Sequence, residues 1–487
     1  MRNRFDQQLG LGSLPIEQVQ ITIKCRDAMF ALLKALQTLY KDPTLNSKIC
    51  GILSAKLCKT KKHTGRKGMS LWELFVMSQV RLCLNISYDR LHYLANHDRL
   101  MRQIMGVEPT DFSSGKQYEY QNIYDNVGLL DDETVKHINQ VIVEFGHGVF
   151  KKKETEALRV KIDSFVVESN VHFPTDINLT WDSARKCLDC IEHLISEHPS
   201  TAGWRKTKNW YREIKNQSRS LSKTSASGGK NKEERQRQIA KQYVTKTRAL
   251  SKKLHQEKQH LPLETYADLA SHLELEYYLE MLDKHIDLVD RRLLNAEKIP
   301  HGEKLFSIFE TYTEWITKGK LRPNVELGKK LVVSTDQFDL MIDYQIMDHQ
   351  ADNQVAIGIA DRLLKRYRLF SLSFDKGFWS PENKELLSLF IPHVVLPKKG
   401  KRNQTEQQTE TQPKFKRLRK AHSAIESNIN ELEHRGLDRC PDRGRAHFDR
   451  YIGLGVCAYN LHKIGKELLR QEKAAQKRHQ AQMKMAA

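Results

Sequence analysis

Leu158, Val160 and Ile162 alternate with Arg159, Lys161 and Asp163. Period two predicts a half-buried strand, here one whose polar face closes on an acid. Everything before it reads as helical. Residues 19–39 carry apolar positions at helical spacing and stop at Asp42-Pro43. Ser70 with Glu73 three residues on has the form of a capping box for a helix over 71–84. Residues 87–106 predict one or two short helices, and 132–150 a longer one capped by Asp131 or Asp132. Beyond the strand the alternation disappears. Residues 178–324 are mostly helical and strongly charged, with basic helices at 204–222 and 232–258 around a flexible linker at 223–230. A long amphipathic helix then carries Leu269, Leu273, Leu282, Ile286 and Val289. Sheet patterns return at 331–333, 340–347, 369–374 and 393–396, with helices at 351–367 and 381–390 between them. Residues 398–420 are polar, basic and partly disordered in composition. Helices at 425–432 and 451–468 follow, and then a frayed basic tail.

Set the charged helices aside and the order is strand, strand, strand, helix, strand, helix, strand, helix. That order fits an α+β fold with a five-stranded mixed sheet of the ribonuclease H type. The predicted organisation is a helical DNA-binding domain at 1–150, a ribonuclease H-like catalytic domain from 155–177 and 325–465, a helical insertion at 178–324 and a basic helical tail at 466–487. In such a sheet the first and fourth strands are neighbours. Asp163 closes the first and Asp375 follows the fourth, while Glu426 lies on the helix after the fifth. Three carboxylates a few ångströms apart stay ionised together only when a divalent cation neutralises them. Hard oxygen donors suit Mg²⁺ or Mn²⁺. Two such ions about 3.5–4 Å apart activate a water or a 3′-hydroxyl on one side of a phosphodiester and stabilise the leaving oxygen on the other.

Charge narrows the partner. The chain of 487 residues has 80 Lys and Arg against 60 Asp and Glu, a formal charge of +20. Such an excess suits a polyanion, and nucleic acid above others. The short amino-terminal helices, with Arg, His and Tyr between turns, suit a helix-turn-helix reader of DNA or equally a plain bundle with a basic face. No apolar run of about 18 residues predicts a membrane span, and the first residues lack the apolar core of a secretory signal. Eight cysteines are scattered, and the one close pair, Cys187 and Cys190, has no second pair at zinc spacing. All eight are read as reduced thiols of a cytosolic protein.

Four stretches carry a resemblance. Ile162-Asp-Ser-Phe-Val-Val-Glu-Ser-Asn-Val-His-Phe-Pro-Thr-Asp176 resembles the first-aspartate motif of bacterial insertion-sequence transposases of the DDE class, most of all the group labelled ISNCY. Leu305-Phe-Ser-Ile-Phe-Glu-Thr-Tyr-Thr-Glu-Trp-Ile-Thr-Lys-Gly319 resembles the segment before the second strand. Phe374-Asp-Lys-Gly-Phe378 resembles the second-aspartate motif. Ile425-Glu-Ser-Asn-Ile-Asn-Glu-Leu-Glu-His-Arg-Gly-Leu-Asp-Arg-Cys440 resembles the glutamate helix, with Ala458-Tyr-Asn-Leu-His462 as its sequel. The resemblance spans residues 60–465 and implies Asp163, Asp375 and Glu426 as a catalytic triad holding two Mg²⁺ or Mn²⁺ ions. It implies a transposase that binds the terminal inverted repeats of a mobile element, cleaves at its ends and joins them to target DNA. It also implies a dimer or higher assembly on double-stranded DNA, in the bacterial cytoplasm with the nucleoid. Related transposases often carry Arg four residues before the glutamate and Lys seven after it; here these are His422 and Glu433. Phosphate contacts are therefore expected from His422, Lys420, Arg419, Arg435, Arg439 and Lys376. Two alternatives remain open: a ribonuclease H-like nuclease that cuts without joining, and a non-catalytic DNA-binding protein or degenerate transposase copy.

Overall fold

The computed structural model describes residues 14–21, 26–57, 68–107, 116–201, 203–204, 206–229, 231–317 and 325–486. The amino-terminal residues read for a signal, Cys25, Cys58 with the basic stretch 59–67, and Lys318-Gly319 lie outside them. The fold is mixed α+β, mostly helical, and divides into two compact units: residues 1–170 with 316–487, and residues 171–315.

The sheet has six strands: β1 (Leu158–Glu168), β2 (Glu314–Thr317), β3 (Val325–Thr335), β4 (Met341–Ile346), β5 (Leu369–Phe374) and β6 (His393–Val395). They run in the order β2-β3-β1-β5-β6, with β4 also paired to β3. β1 is antiparallel to β3 and parallel to β5, and β5 is parallel to β6. The short β2 is additional to the five strands expected. β1 also differs from expectation, because it does not stop at Asp163 but runs on to Glu168, paired to β3 as far as Glu168 opposite Gly328. Phe165, Val166 and Val167 are all buried there. With both faces covered, a strand loses its alternation, and the periodic signal ends before the strand does.

The amino-terminal helices share one unit with the sheet, where a separate domain was expected. Their core is closed by the long carboxy-terminal helix Arg445–Ala486, which extends well past residue 468. Leu71–Cys83 is buried at every position, so this helix presents no face to a DNA groove. Ser70 caps it, accepting from the Glu73 N–H at 3.2 Å, while the Glu73 carboxylate takes Lys116 instead of closing the capping box. Of the helices that follow, Tyr88–His97 leaves Arg90, Tyr93 and His97 exposed. Residues 19–21 are not helical as expected: the buried Gln37 side chain donates to the carbonyls of Ile16 and Val19, and the helix starts at Ala28 under an Asp27 cap. Gly465 sits where that helix, Ala28–Lys41, crosses the carboxy-terminal one. A Cβ there would fall 1.7 Å from the Ala31 carbonyl oxygen. Gly465→Ala is therefore expected to force the two helices apart and destabilise the unit by about 2–3 kcal/mol, read as a shift in urea midpoint. An unchanged midpoint would mean the crossing is looser than this.

Residues 398–420 are more ordered than their composition predicted. Two helices form, Gln404–Thr411 and Pro413–His422. Asn403 and Glu406 make a capping box, Lys398 pairs with Glu406, and Arg402 and Arg419 pair with Glu410. Phe415 and Leu418 anchor the second helix by packing with Val395 of β6.

The second unit is a helical bundle of Asp176–Glu197, Thr207–Ala226, Lys232–Glu257 and Tyr266–Leu293. Its core is built from side chains such as Leu188, Ile214, Leu221, Tyr243 and Leu282. The link between the two basic helices is shorter than the 223–230 expected, since the first continues to Ala226. Lysines cover tryptophan faces on its surface: Lys246 lies 4.2 Å from the Trp210 ring and Lys253 4.5 Å from that of Trp204. Cys83, Cys187, Cys190, Cys440 and Cys457 are buried free thiols, and Cys50 is buried as well. Among the described residues no helix is long and apolar enough to cross a membrane.

Candidate active site

Strand register brings the first two acids together. Ile162 of β1 lies opposite Phe374 of β5 in a parallel pair, and that is where the pairing ends. Asp163 and Asp375 are each the next residue. They emerge side by side where β5 stops and β1 continues. Phe374 and Phe378, both 1% exposed with rings 5.3 Å apart, pin the turn that carries Asp375. Asp375 itself is exposed and Asp163 is half-buried.

Glu426 stands in the first turn of Ala424–Leu432, beside the fully buried Ile425. A polar bridge fixes this helix to β1. Asp339, in the turn between β3 and β4, accepts from Lys161 Nζ at 2.8 Å and from Asn428 Nδ2 at 3.2 Å. Lys161 is two residues before Asp163, and Asn428 is two after Glu426. A second link joins β5 to the preceding helix, where His422 Nδ1 meets Ser373 Oγ at 3.0 Å. Ser373 lies two residues before Asp375, so all three acid carriers are tied together by short polar contacts.

The charges of Asp375 and Glu426 both reach the Asp163 carboxyl. The Asp163 carboxyl is pushed up to about 7, chiefly by burial. The Ser164 N–H, donating to Oδ1 at 2.7 Å, pulls the other way. The negative charges of Asp375, Asp352 and Glu426 push it up further. Asp352 was not anticipated from sequence. It opens the helix Asp352–Arg366, accepts from Ser164 Oγ at 3.0 Å and pairs with Lys330 at 3.3 Å. An acid in a first helical turn reads as an ordinary partner of the helix dipole, which is why nothing in the sequence marked it.

The basic residues expected to hold DNA separate into two groups. Lys376, Arg419, Lys420 and Arg439 are exposed. Arg419 lies 3.4 Å from Glu410, and Arg439 donates to Asn170 Oδ1 at 3.3 Å. Arg435 lies inside the fold, 8% exposed, donating to the Cys83 carbonyl at 2.8 Å, to Glu431 at 3.0 Å and to the His462 ring. Its guanidinium has no surface to offer a phosphate. His422 is drawn down to about 4, first by burial and then by the cations Lys161 and Arg419, against the opposing pull of Asp375. Its ring is neutral at pH 7, so any contact it makes with phosphate is a neutral hydrogen bond. Glu433, in the position where relatives carry Lys, is half-buried.

Among the described residues no three His, Cys, Asp or Glu side chains converge closely enough, as they stand, to hold a metal ion. The donor set nonetheless suits a hard divalent cation. Its members are carboxylates alone, one of them raised by burial and then by the charges of its neighbours, and two of the three expected ligands are exposed.

No curated protein and no solved structure matches the chain. Residues 288–461, a stretch that includes Asp375 and Glu426 but begins after Asp163, match the family model described as the transposase DDE domain, which supports the DDE-class resemblance carried by the motifs.

Proposed function

We propose that this chain is a DDE-class transposase whose active site is Asp163, Asp375 and Glu426. The observation that carries the reading is the register: two acids, each one residue beyond the last paired position of adjacent parallel strands, with the charge of Glu426 acting on the same carboxyl. The strand order around β1 agrees with a ribonuclease H-like sheet, with β1 between one antiparallel and one parallel neighbour. The match to the transposase DDE domain supports the same class.

In this reading the three carboxylates hold Mg²⁺ or Mn²⁺, two ions per site. When bound, such ions supply activation of a water or a 3′-hydroxyl and stabilisation of the leaving oxygen in an in-line displacement. Asp163, set in the middle of a buried strand, is the fixed ligand. Asp375 and Glu426, both exposed, would complete the ligand set. Lys376, Arg419, Lys420 and Arg439, near the acid carriers in sequence, steer the DNA backbone. Double-stranded element ends and target DNA are the substrates, with two or more protomers bringing two ends together in the bacterial cytoplasm.

The test is purified protein with Mg²⁺ or Mn²⁺ on a labelled DNA fragment carrying the element's end, with nicked and joined products resolved separately. Nicks together with joined strands are expected. Nicks alone would favour a ribonuclease H-like nuclease, and binding with neither product would favour a non-catalytic DNA-binding protein.

A further inference from the structure

Asp352 touches the carriers of both aspartates. Its Oδ1 accepts from Ser164 Oγ at 3.0 Å, and Ser164 is the residue whose N–H donates to Asp163. Its Oδ2 lies against the turn after Asp375: a Cβ built on Gly377 would fall 2.8 Å from that oxygen. The turn can come this close only because residue 377 has no side chain, and nothing in its backbone conformation otherwise calls for glycine. A fourth carboxylate so near three others is costly unless it is neutralised. Lys330, on β3, does this, with Nζ at 3.3 and 3.4 Å from the two Asp352 oxygens. The side chain is therefore held from three directions: the Ser164 hydroxyl, the Lys330 ammonium and the bare face of Gly377.

We infer that Asp352 is a positioning residue that sets the spacing between Asp163 and Asp375, with Lys330 holding it neutralised and Gly377 giving it room. The inference rests on the reading of Asp163 and Asp375 as metal ligands. One oxygen of Asp352 orients the segment that carries Asp163, and the other sets how closely the turn carrying Asp375 can approach. Outer partners of this kind typically change metal affinity by about 10–100-fold when removed.

The experiment is a calorimetric titration of Mn²⁺ into the full-length protein without DNA. Asp352→Ala is expected to weaken Mn²⁺ binding by roughly 10-fold or more. Asp352→Asn keeps an oxygen to accept from Ser164 Oγ and is expected to recover most of that loss. Gly377→Ala drives a methyl against Oδ2 and is expected to weaken binding in its own right. In the Asp352→Ala background that clash is gone, so the double variant is expected to bind no more weakly than Asp352→Ala alone, a non-additive cycle. Binding by Asp352→Ala within about twofold of the unaltered protein, or losses that simply add in the double variant, would overturn the inference. So would an Asp352→Asn protein as defective as the alanine variant. Asp375→Asn is titrated alongside. If it binds Mn²⁺ as well as the unaltered protein does, the metal-site reading has failed, and that failure is separate from failure of the role given to Asp352.

Discussion

Asp163→Asn, Asp375→Asn and Glu426→Gln are each expected to lower metal-dependent strand cleavage by at least about 10³-fold while leaving DNA affinity within about threefold. Each amide keeps the shape of the acid and removes one negative charge with its anionic ligand oxygen. Loss of a metal ligand removes several kcal/mol of charge stabilisation at the reacting phosphate, and each 1.36 kcal/mol is tenfold in rate. In the proposed reading, DNA affinity rests on phosphate contacts made elsewhere, by exposed cations such as Lys376, Arg419 and Lys420. Removing an acid from the site lessens repulsion of the backbone, so binding by the variants is expected to be equal or slightly tighter. If the three acids act as one unit, as proposed, a double variant is expected to be little worse than either single one. Single-turnover cleavage and fluorescence anisotropy on the same labelled fragment separate the two effects. A variant that cleaves at near-normal rate removes its residue from the triad, and variants that lose binding and cleavage together would point to a folding defect.

What the sequence could show of this site follows from what local pattern can carry. The β5 strand and Asp375 directly after it were legible, because an apolar run of strand length ends in an acid. The helix Asp132–Val149 was legible through its cap, Asp131, and Pro381–Phe390 through the proline at its start. The continuation of β1 was not, since Phe165 to Val167 face burial on both sides and leave no alternation to read. Arg435 was assigned to the DNA surface by its charge. Its partners, Cys83 and His462, are distant in sequence, and a buried cation with remote partners looks like any surface arginine until the fold is known. The ordered helices over residues 404–422 had a local signal that low-complexity composition masked: Asn403 with Glu406 is a capping box in plain view. Asp352 had none, because its role comes from Ser164, Lys330 and Gly377 meeting around it, and that meeting is a property of the sheet.

Asp163 is expected to contribute a loss of stability between pH 4 and pH 8 that Asp163→Asn abolishes. The Asp163 carboxyl stands at about 7 in the folded chain against 3.8 for an ordinary aspartate. A folded-state value raised above the unfolded one contributes stability that is fully present below the lower value and is lost as pH rises through the higher. At pH 8 the folded protein holds an ionised carboxylate that burial and the charges of Asp375, Asp352 and Glu426 all oppose. The shift from 3.8 to about 7 corresponds to a cost on the order of 3–5 kcal/mol at pH 8. Asparagine resembles the protonated acid at every pH, so Asp163→Asn is expected to match the unaltered protein near pH 4 and to exceed it by a few kcal/mol at pH 8, read from urea unfolding. His422 works in the opposite direction: its value is lowered to about 4, so its contribution is present above the ordinary 6.5 and lost as pH falls toward 4. Both proteins share that loss, and the difference between them isolates Asp163. Mn²⁺ adds a second axis. A cation that neutralises the acids removes the cost where it exists, so it is expected to stabilise the unaltered protein strongly at pH 8, weakly at pH 5, and the variant little at either. An Asp163→Asn protein no more stable than its parent at pH 8 would mean that Asp163 ionises as an ordinary surface acid does. The negative charges of Asp375, Asp352 and Glu426 would then not meet at its carboxyl, and the electrostatic case for a metal site there would be lost.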